Sequence, residues 1–322
     1  MPVLSETEAA APRLRGVLTS PYLLVYVAAY GVLLAVLHRT QGLPLSEPLP
    51  LLLVVGIGFS ALAWWLTRRL TPVSFAVHRP AREAALVMAY LAAMIIFLTW
   101  GLQAIRGAIE TPPWQSAVIV AAKLIFFVLL PAALVGMSGR YRISELFPVS
   151  GNAAHLKAAL WMSLALLAMQ AVLGRGLGDL RKSGLGAGWL LAGAPLAFAW
   201  LTIEVGLVEE FFFRTLLQSR LAALLRSEIG GIVLMSVLFG LAHAPGFYLR
   251  PAATMEALGP HPSLLMAMGY SIVVTSVAGF FLGVLWSRTR NLAVVMLVHA
   301  AGDLLPSLTP ALTMWRGLLS NF

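Results

Sequence analysis

Nine apolar runs make up most of this 322-residue chain, at roughly Tyr22–Leu37, Pro48–Leu66, Ala84–Gln103, Ala117–Met137, Leu156–Gly174, Trp189–Phe213, Gly230–Leu249, Ser263–Trp286 and Leu292–Leu305. Most are long enough to cross the ~30 Å of bilayer hydrocarbon as helices, and the first and last are the shortest. Backbone polar groups have no water to bond to at that depth, so a long apolar run must satisfy them within itself, as a helix. Only 11% of residues are charged, against about 25% in soluble domains, which leaves too little charge to coat a water-facing surface. The 60% hydrophobic content equally excludes a disordered chain. Cysteine is absent, which removes disulfides, thiolate metal ligands and a cysteine nucleophile together. The fold class expected is all-α, a polytopic transmembrane helical bundle of eight to nine spans.

The net charge of +9 raises the question of nucleic acid. The cations fall singly or in pairs between apolar runs, not on one basic face, so no nucleic-acid partner is expected. They read better as topology signals. With nine spans, the N-terminus and the loops near 68–82, 138–157, 214–228 and 287–291 share one side and hold fourteen cations, Arg13, Arg15, Arg140, Arg214 and Arg220 among them. The other side holds seven, including Arg250. This asymmetry predicts an integral membrane protein with a cytoplasmic N-terminus, in a bacterial cytoplasmic membrane. Acidic Glu6 and Glu8 precede the first run, which argues against a cleavable signal. The chain divides into N-terminal membrane spans of unassigned role (1–155), a fifth span with a glycine-rich hinge loop at Gly174–Gly188 (156–188), a core that holds most of the ionisable groups within apolar runs (189–306) and a C-terminal tail (307–322).

Ionisable groups at membrane depth are costly and mark function. The first four runs contain one, Lys123, whereas the sixth, seventh and ninth contain Glu204, Glu209, Glu210, Arg214, His243, His299 and Asp303. Glu210 and Arg214 are four apart on one helix, in reach of an ion pair. Glu209 is rotated by about 100° from Glu210 and stays free of that pair. His299 and Asp303 share a face at the same spacing. His243 precedes Pro245 by two residues, and a helix break there would open a polar pocket beside it. Counting rise per residue puts His243, His299, Asp303 and the two glutamates at comparable depths, roughly 12–20 Å in. A carboxylate and an imidazole can hold and deprotonate water, with a second imidazole as oxyanion donor. Alternatively, Glu209, His243 and His299 match the donor types of a catalytic zinc site with an open water position. Both chemistries are hydrolytic.

The segments VEEFFFR (Val208–Arg214), FGLAH (Phe239–His243) and HAAGD (His299–Asp303) resemble the EExxxR, FxxxH and HxxxN/D signatures of the CPBP family. These are the CAAX proteases and bacteriocin-processing enzymes, and they include type II CAAX endopeptidases. Each motif is weak alone, but all three occur in order and within spans, covering about Trp189–Leu305. The resemblance implies an intramembrane endopeptidase acting on a peptide or membrane-protein substrate, with lipid as the other partner. It implies catalytic roles for Glu209, Glu210, His243, His299 and Asp303. Within that set Glu209 is the base, His243 helps to hold the water, and His299 stabilises the oxyanion. Arg214 and Phe239 are implied as structural support. A divalent metal such as Zn2+ is the one cofactor it leaves open, with Glu209, His243 and His299 as ligands. Asp303 stands where better-known members carry asparagine. An ionised aspartate cannot donate to an oxyanion, so it must be protonated, orient His299 or bind metal.

Other readings compete with this one. The same Glu/His cluster would serve a transporter or proton relay, and the family scaffold would also serve a non-catalytic immunity or binding protein. Gly136–Gly139 spells the GxSG of rhomboid proteases around Ser138, and Gly176–Asp179 spells the GxGD of presenilin-type proteases. Both lie beside cationic loops and leave the Glu209–Glu210–Arg214 cluster unused, so they are read as chance. Lys123 is expected to snorkel or to pair with an acid, and Glu204 to pack or line a pore. Phe211–Phe213 are expected to face lipid or pack. The amphipathic stretch Gln218–Glu228 is expected at the cytoplasmic interface, flanking an entrance.

Overall fold

A computed structural model describes residue 16 and residues 18–139, 141–249 and 258–319. Glu6, Glu8, Arg13, Arg15, Arg140 and Arg250, used above to judge topology, lie outside the described residues. Among the described residues there is no strand. Nine helices among these described residues are long and apolar enough to span a membrane: α1 (Pro21–Gln41), α2 (Pro48–Thr67), α3 (Pro80–Ala108), α4 (Pro112–Gly139), α5 (Ala153–Leu173), α6 (Ala187–Leu225), α7 (Glu228–Leu249), α8 (Leu264–Thr289) and α9 (Leu292–Leu319). The chain is an integral membrane protein of all-α, polytopic architecture.

Local chemistry accounts for the boundaries. Each of α1 to α4 opens on a proline in its first turn, where the missing N–H has no helical partner to lose. The side chains of Asn152 and Ser263 cap α5 and α8 by accepting from Ala154 N and Met266 N. Gly42 ends α1 at φ 70°, a left-handed turn that glycine takes without Cβ strain. The first and last runs, shortest in sequence, form helices of 21 and 28 residues. The last continues past Pro306 and Pro310, because packing against α5 and α6 sustains it.

α8 forms the centre, with 67% of its most apolar window buried against 22% for α1, α2 and α3. The outer helices turn large apolar side chains outward, among them Val25, Leu53, Trp100 and Leu129. Such faces are stable only against lipid. One buried cluster runs from Tyr26 to Val298, and a smaller one joins Leu185 and Ala197 to Leu308 and Leu312. At Gly206 of α6 an added Cβ would lie 2.7 Å from the Met296 carbonyl oxygen of α9. Only glycine permits that approach, the small-residue contact typical of membrane helices.

Three expectations are corrected, and one open choice is resolved. The first half of the Gln218–Glu228 stretch is not an exposed amphipathic surface: Gln218, Ser219, Arg220 and Ala222 are buried in the continuation of α6 to Leu225, so the Arg214 and Arg220 side chains meet protein and not water or headgroups. α7 does not break at His243, and its helix passes through Pro245 to Leu249. The glycine-rich loop carries a short helix, Gly176–Lys182, with Gly176 against the Leu305 carbonyl of α9. Phe211, Phe212 and Phe213 pack inside and do not face lipid.

Arg220 survives in the core because Glu83 of α3 meets it, at 3.1 Å with both side chains fully buried. Glu83 also accepts from Tyr141 Oη (2.7 Å) and the Arg79 amide (2.9 Å). Burial pushes the Tyr141 phenol up, out of the titratable range, so it stays a donor. A π-turn over Phe211–Gln218 lets the Ser219 amide pass over the Thr215 carbonyl, and Arg220 Nη1 donates there at 2.7 Å. Breaking a buried pair leaves one charge uncompensated, at about 3–5 kcal/mol. Arg220→Met is therefore expected to lower the thermal unfolding midpoint of the detergent-solubilised protein sharply. The Glu83→Gln/Arg220→Met double variant should recover much of the loss, and an equal loss in both would contradict this account.

Candidate active site

Three helices meet at the motif residues. α6 is interrupted by π-turns at Thr202–Leu207 and Phe211–Gln218, which flank the α-helical turn Val208–Glu210. Such turns offset successive side chains from the regular helical spacing and recur at functional sites. They aim Glu209 and Glu210 at different partners on different helices. Glu209 Oε2 lies 3.8 Å from His243 Nε2 on α7. Glu210 Oε1 lies 2.7 Å from His299 Nδ1 on α9, and its Oε2 lies 3.1 Å from Arg214 Nε. The sequence spacing foresees the Glu210–Arg214 pair; it cannot foresee that the same carboxylate holds His299.

Tautomers follow from the partners. The second nitrogen of His243, Nδ1, lies 2.8 Å from the Phe239 carbonyl. A carbonyl only accepts, so Nδ1 carries the hydrogen, and the Nε2 of the neutral ring presents a lone pair toward Glu209. Glu210 likewise only accepts, so His299 Nδ1 is a donor and Nε2 is directed elsewhere. That Nε2 lies 3.7 Å from Asp303 Oδ2, beyond hydrogen-bond length. Glu210, not Asp303, orients His299. The Asp303 side chain is 42% exposed and lines a cavity of about 190 Å³ with His299 and Gly302.

Phe239 joins these groups. Its ring is buried and lies under the Arg214 guanidinium (4.6 Å), beside the rings of His243 (4.7 Å) and His299 (6.3 Å), and edge-on to Phe213 (5.0 Å). Arg214 is fully buried; its Nη1 reaches Met235 Sδ at 2.9 Å. A buried guanidinium needs such a setting of counter-ion, aromatic face and soft acceptor. One turn away on α6, Glu204 pairs with Lys123 of α4 at 3.5 Å and accepts from Trp200 Nε1. Lys123 therefore pairs with an acid across helices, and Glu204 is its counter-ion.

The structure thus brings the predicted residues together as two dyads, Glu209–His243 and Glu210–His299, with Arg214 behind the second and Asp303 near its open side. It does not bring them into one chelate. Among the described residues no three His, Asp or Glu side chains gather as donors for a single ion. The donor set does not fit a zinc site that needs three protein ligands. The decoy residues lie apart from these dyads: Ser138 is at the end of α4, and Asp179 is exposed on the short helix before α6. Gln170, on the wall of the same cavity, was not foreseen. The available signal was one amide within an apolar run.

Residues 191–305 match a family model described as Type II CAAX prenyl endopeptidase Rce1-like. Neither a curated protein nor a solved structure matches the chain. The matched segment, about a third of the chain, runs from α6 into α9 and contains both dyads, so the family model and the three motifs point to the same resemblance, to the CAAX-type membrane endopeptidases.

Proposed function

We propose that this protein is an intramembrane endopeptidase of CAAX-protease type, hydrolysing a peptide bond with water activated by Glu209 and His243. The observation that carries this reading is the Glu209–His243 pair: two acceptors 3.8 Å apart, the imidazole held by the Phe239 carbonyl. One water donates a hydrogen to each, which turns its oxygen lone pair outward. As that oxygen attacks the scissile carbonyl, Glu209 takes a proton, acting as general base. His299 in its protonated form donates through Nε2 to the oxygen that becomes negative. Glu209 then returns the proton to the departing amine, so that amide and water yield acid and amine. Glu210 and Arg214 touch no substrate in this scheme; they hold His299 in place. Asp303, beside His299 Nε2, lines the substrate side.

Cleavage of a quenched membrane-peptide library by purified protein tests the assignment. Glu209→Gln and His243→Ala should each lower kcat by at least about a hundredfold, within the range of general-base loss, while unfolding midpoints stay near the unaltered value. Cleavage retained in both would overturn it. Ion flux into liposomes, lost in the same variants, would point instead to a relay.

Glu210→Gln keeps the shape of the side chain but weakens its hold on both Arg214 and His299. It should lower kcat and destabilise the fold together, the latter by about 3 kcal/mol. Lost activity with unchanged stability would place Glu210 in the chemistry. Activity is expected to survive strong chelators, in preparations with far less than one zinc per chain. One tightly held zinc per active chain, with loss of activity on its removal, would contradict the metal-free assignment.

A further inference from the structure

Away from the active site, a groove of about 460 Å³ runs between the start of α3 and the end of α4. Arg82, Leu86, Leu134, Met137 and Ser138 line it, the last two from the Gly136–Gly139 segment that the active site leaves unused. The Ser138 hydroxyl is enclosed by protein, so it offers neither a nucleophile nor a contact. The volume falls in the range of small-molecule sites, about 300–1,000 Å³.

The groove is graded in polarity. Arg82 stands in the first turn of α3, exposed. Arg79, also exposed, donates from Nη1 to the Ser138 carbonyl at 3.4 Å, which brings a second guanidinium to the mouth. The acids of the flanking segments are committed elsewhere. Glu83, next to Arg82, is fully buried and turned to Arg220 and Tyr141, and Glu145 accepts from the Arg142 amide at 2.6 Å. Gly139 permits that inward turn, because a Cβ there would collide with the Tyr141 ring. Leu86 and Leu134 lie roughly 6–9 Å farther into the membrane than the helix ends, counted by rise per residue. Two cations at headgroup level thus stand over an apolar floor. A soluble anion would match the arginines and leave the floor uncovered. A neutral lipid would cover the floor and leave the charges unanswered.

We propose that this groove binds an anionic phospholipid, with the headgroup phosphate at Arg79 and Arg82 and an acyl chain along Leu86, Leu134 and Met137. The proposal is independent of the peptidase reading. Because Arg82 adjoins Glu83, which holds Arg220 of α6, the bound lipid also braces α3 against the helix that carries Glu209 and Glu210.

Cysteine is absent from the chain, so Ala133→Cys gives a single labelling site, exposed on α4 beside Leu134 but outside the groove lining. Leu129→Cys, 61% exposed on the same helix, is the reference. Each full-length variant carries a bimane label in phosphatidylcholine nanodiscs doped with brominated phosphatidylglycerol or brominated phosphatidylcholine, and quenching is titrated. One arginine near an anionic surface corresponds to about a fivefold preference. At position 133 phosphatidylglycerol should therefore quench at a mole fraction about twenty-five times lower than phosphatidylcholine, and at position 129 the two should quench alike. Arg82→Gln should cut the preference to about fivefold, and Arg79→Gln with Arg82→Gln should remove it. Leu134→Trp, which fills the groove and keeps both arginines, should remove it as well, and serves if the double variant fails to fold. In detergent, phosphatidylglycerol should raise the unfolding midpoint of the unaltered protein and not that of Arg82→Gln, because a ligand of the folded state stabilises it. Equal quenching by both lipids at position 133 overturns the proposal, as does a preference that survives both the arginine changes and Leu134→Trp. A preference abolished by inorganic phosphate at matched ionic strength would mark a free-anion site and overturn the lipid assignment.

Discussion

Glu210 lies fully buried between a guanidinium and an imidazole, with one oxygen 3.1 Å from Arg214 and the other 2.7 Å from His299. A bare carboxylate at that depth would be prohibitively costly, and so would a bare Arg214. Each makes the other tolerable, and the surplus binding capacity of the carboxylate fixes a histidine from another helix. The approach of α9 to α6 depends on this link and on Gly206, where backbone meets backbone. Phe239 extends the arrangement to α7, because one aromatic ring serves Arg214, His243 and His299 at once.

This support leaves Glu209 outside it. Two adjacent glutamates on one helix acquire different work: Glu210 is consumed by structure, while Glu209 faces a histidine whose other nitrogen is already committed to the Phe239 carbonyl. The π-turns on either side of the pair make that division geometrically available. Away from the site the same economy recurs. Glu83 with Arg220 and Glu204 with Lys123 each neutralise a cation of one helix with an acid of another, and Glu228 of α7 meets Arg290 just past the end of α8. In a medium without water, ion pairs and proline-freed carbonyls become specific fasteners between helices. The Gln170 contact with the carbonyls of Ala301 and Gly302 is one of them.

Much of this is legible in the sequence. The nine spans follow from hydropathy, since lipid allows an isolated apolar run little choice but helix. The Glu210–Arg214 pair follows from a spacing of four on one helix. Less legible was whatever depends on a partner distant in sequence. Arg220 reads as an interfacial charge because sequence proximity does not reveal Glu83, 137 residues away. Pro245 suggests a break that packing prevents, and Pro306 gives no hint that an amide on α5 covers the carbonyl it frees.

The sequence alone therefore determined the solvent, the fold class, the number of spans and the types of chemical group left at depth, because hydropathy and motif spacing are local properties of the chain. Only the tertiary structure decided which of those groups touch. It set Glu209 against His243, gave His299 to Glu210 and not to Asp303, and kept Glu209, His243 and His299 from gathering as donors to one ion. The physical reason is that membrane helices are individually stable before they associate. Their register and rotation are chosen afterward, by buried charges and small-residue contacts between residues far apart in the chain.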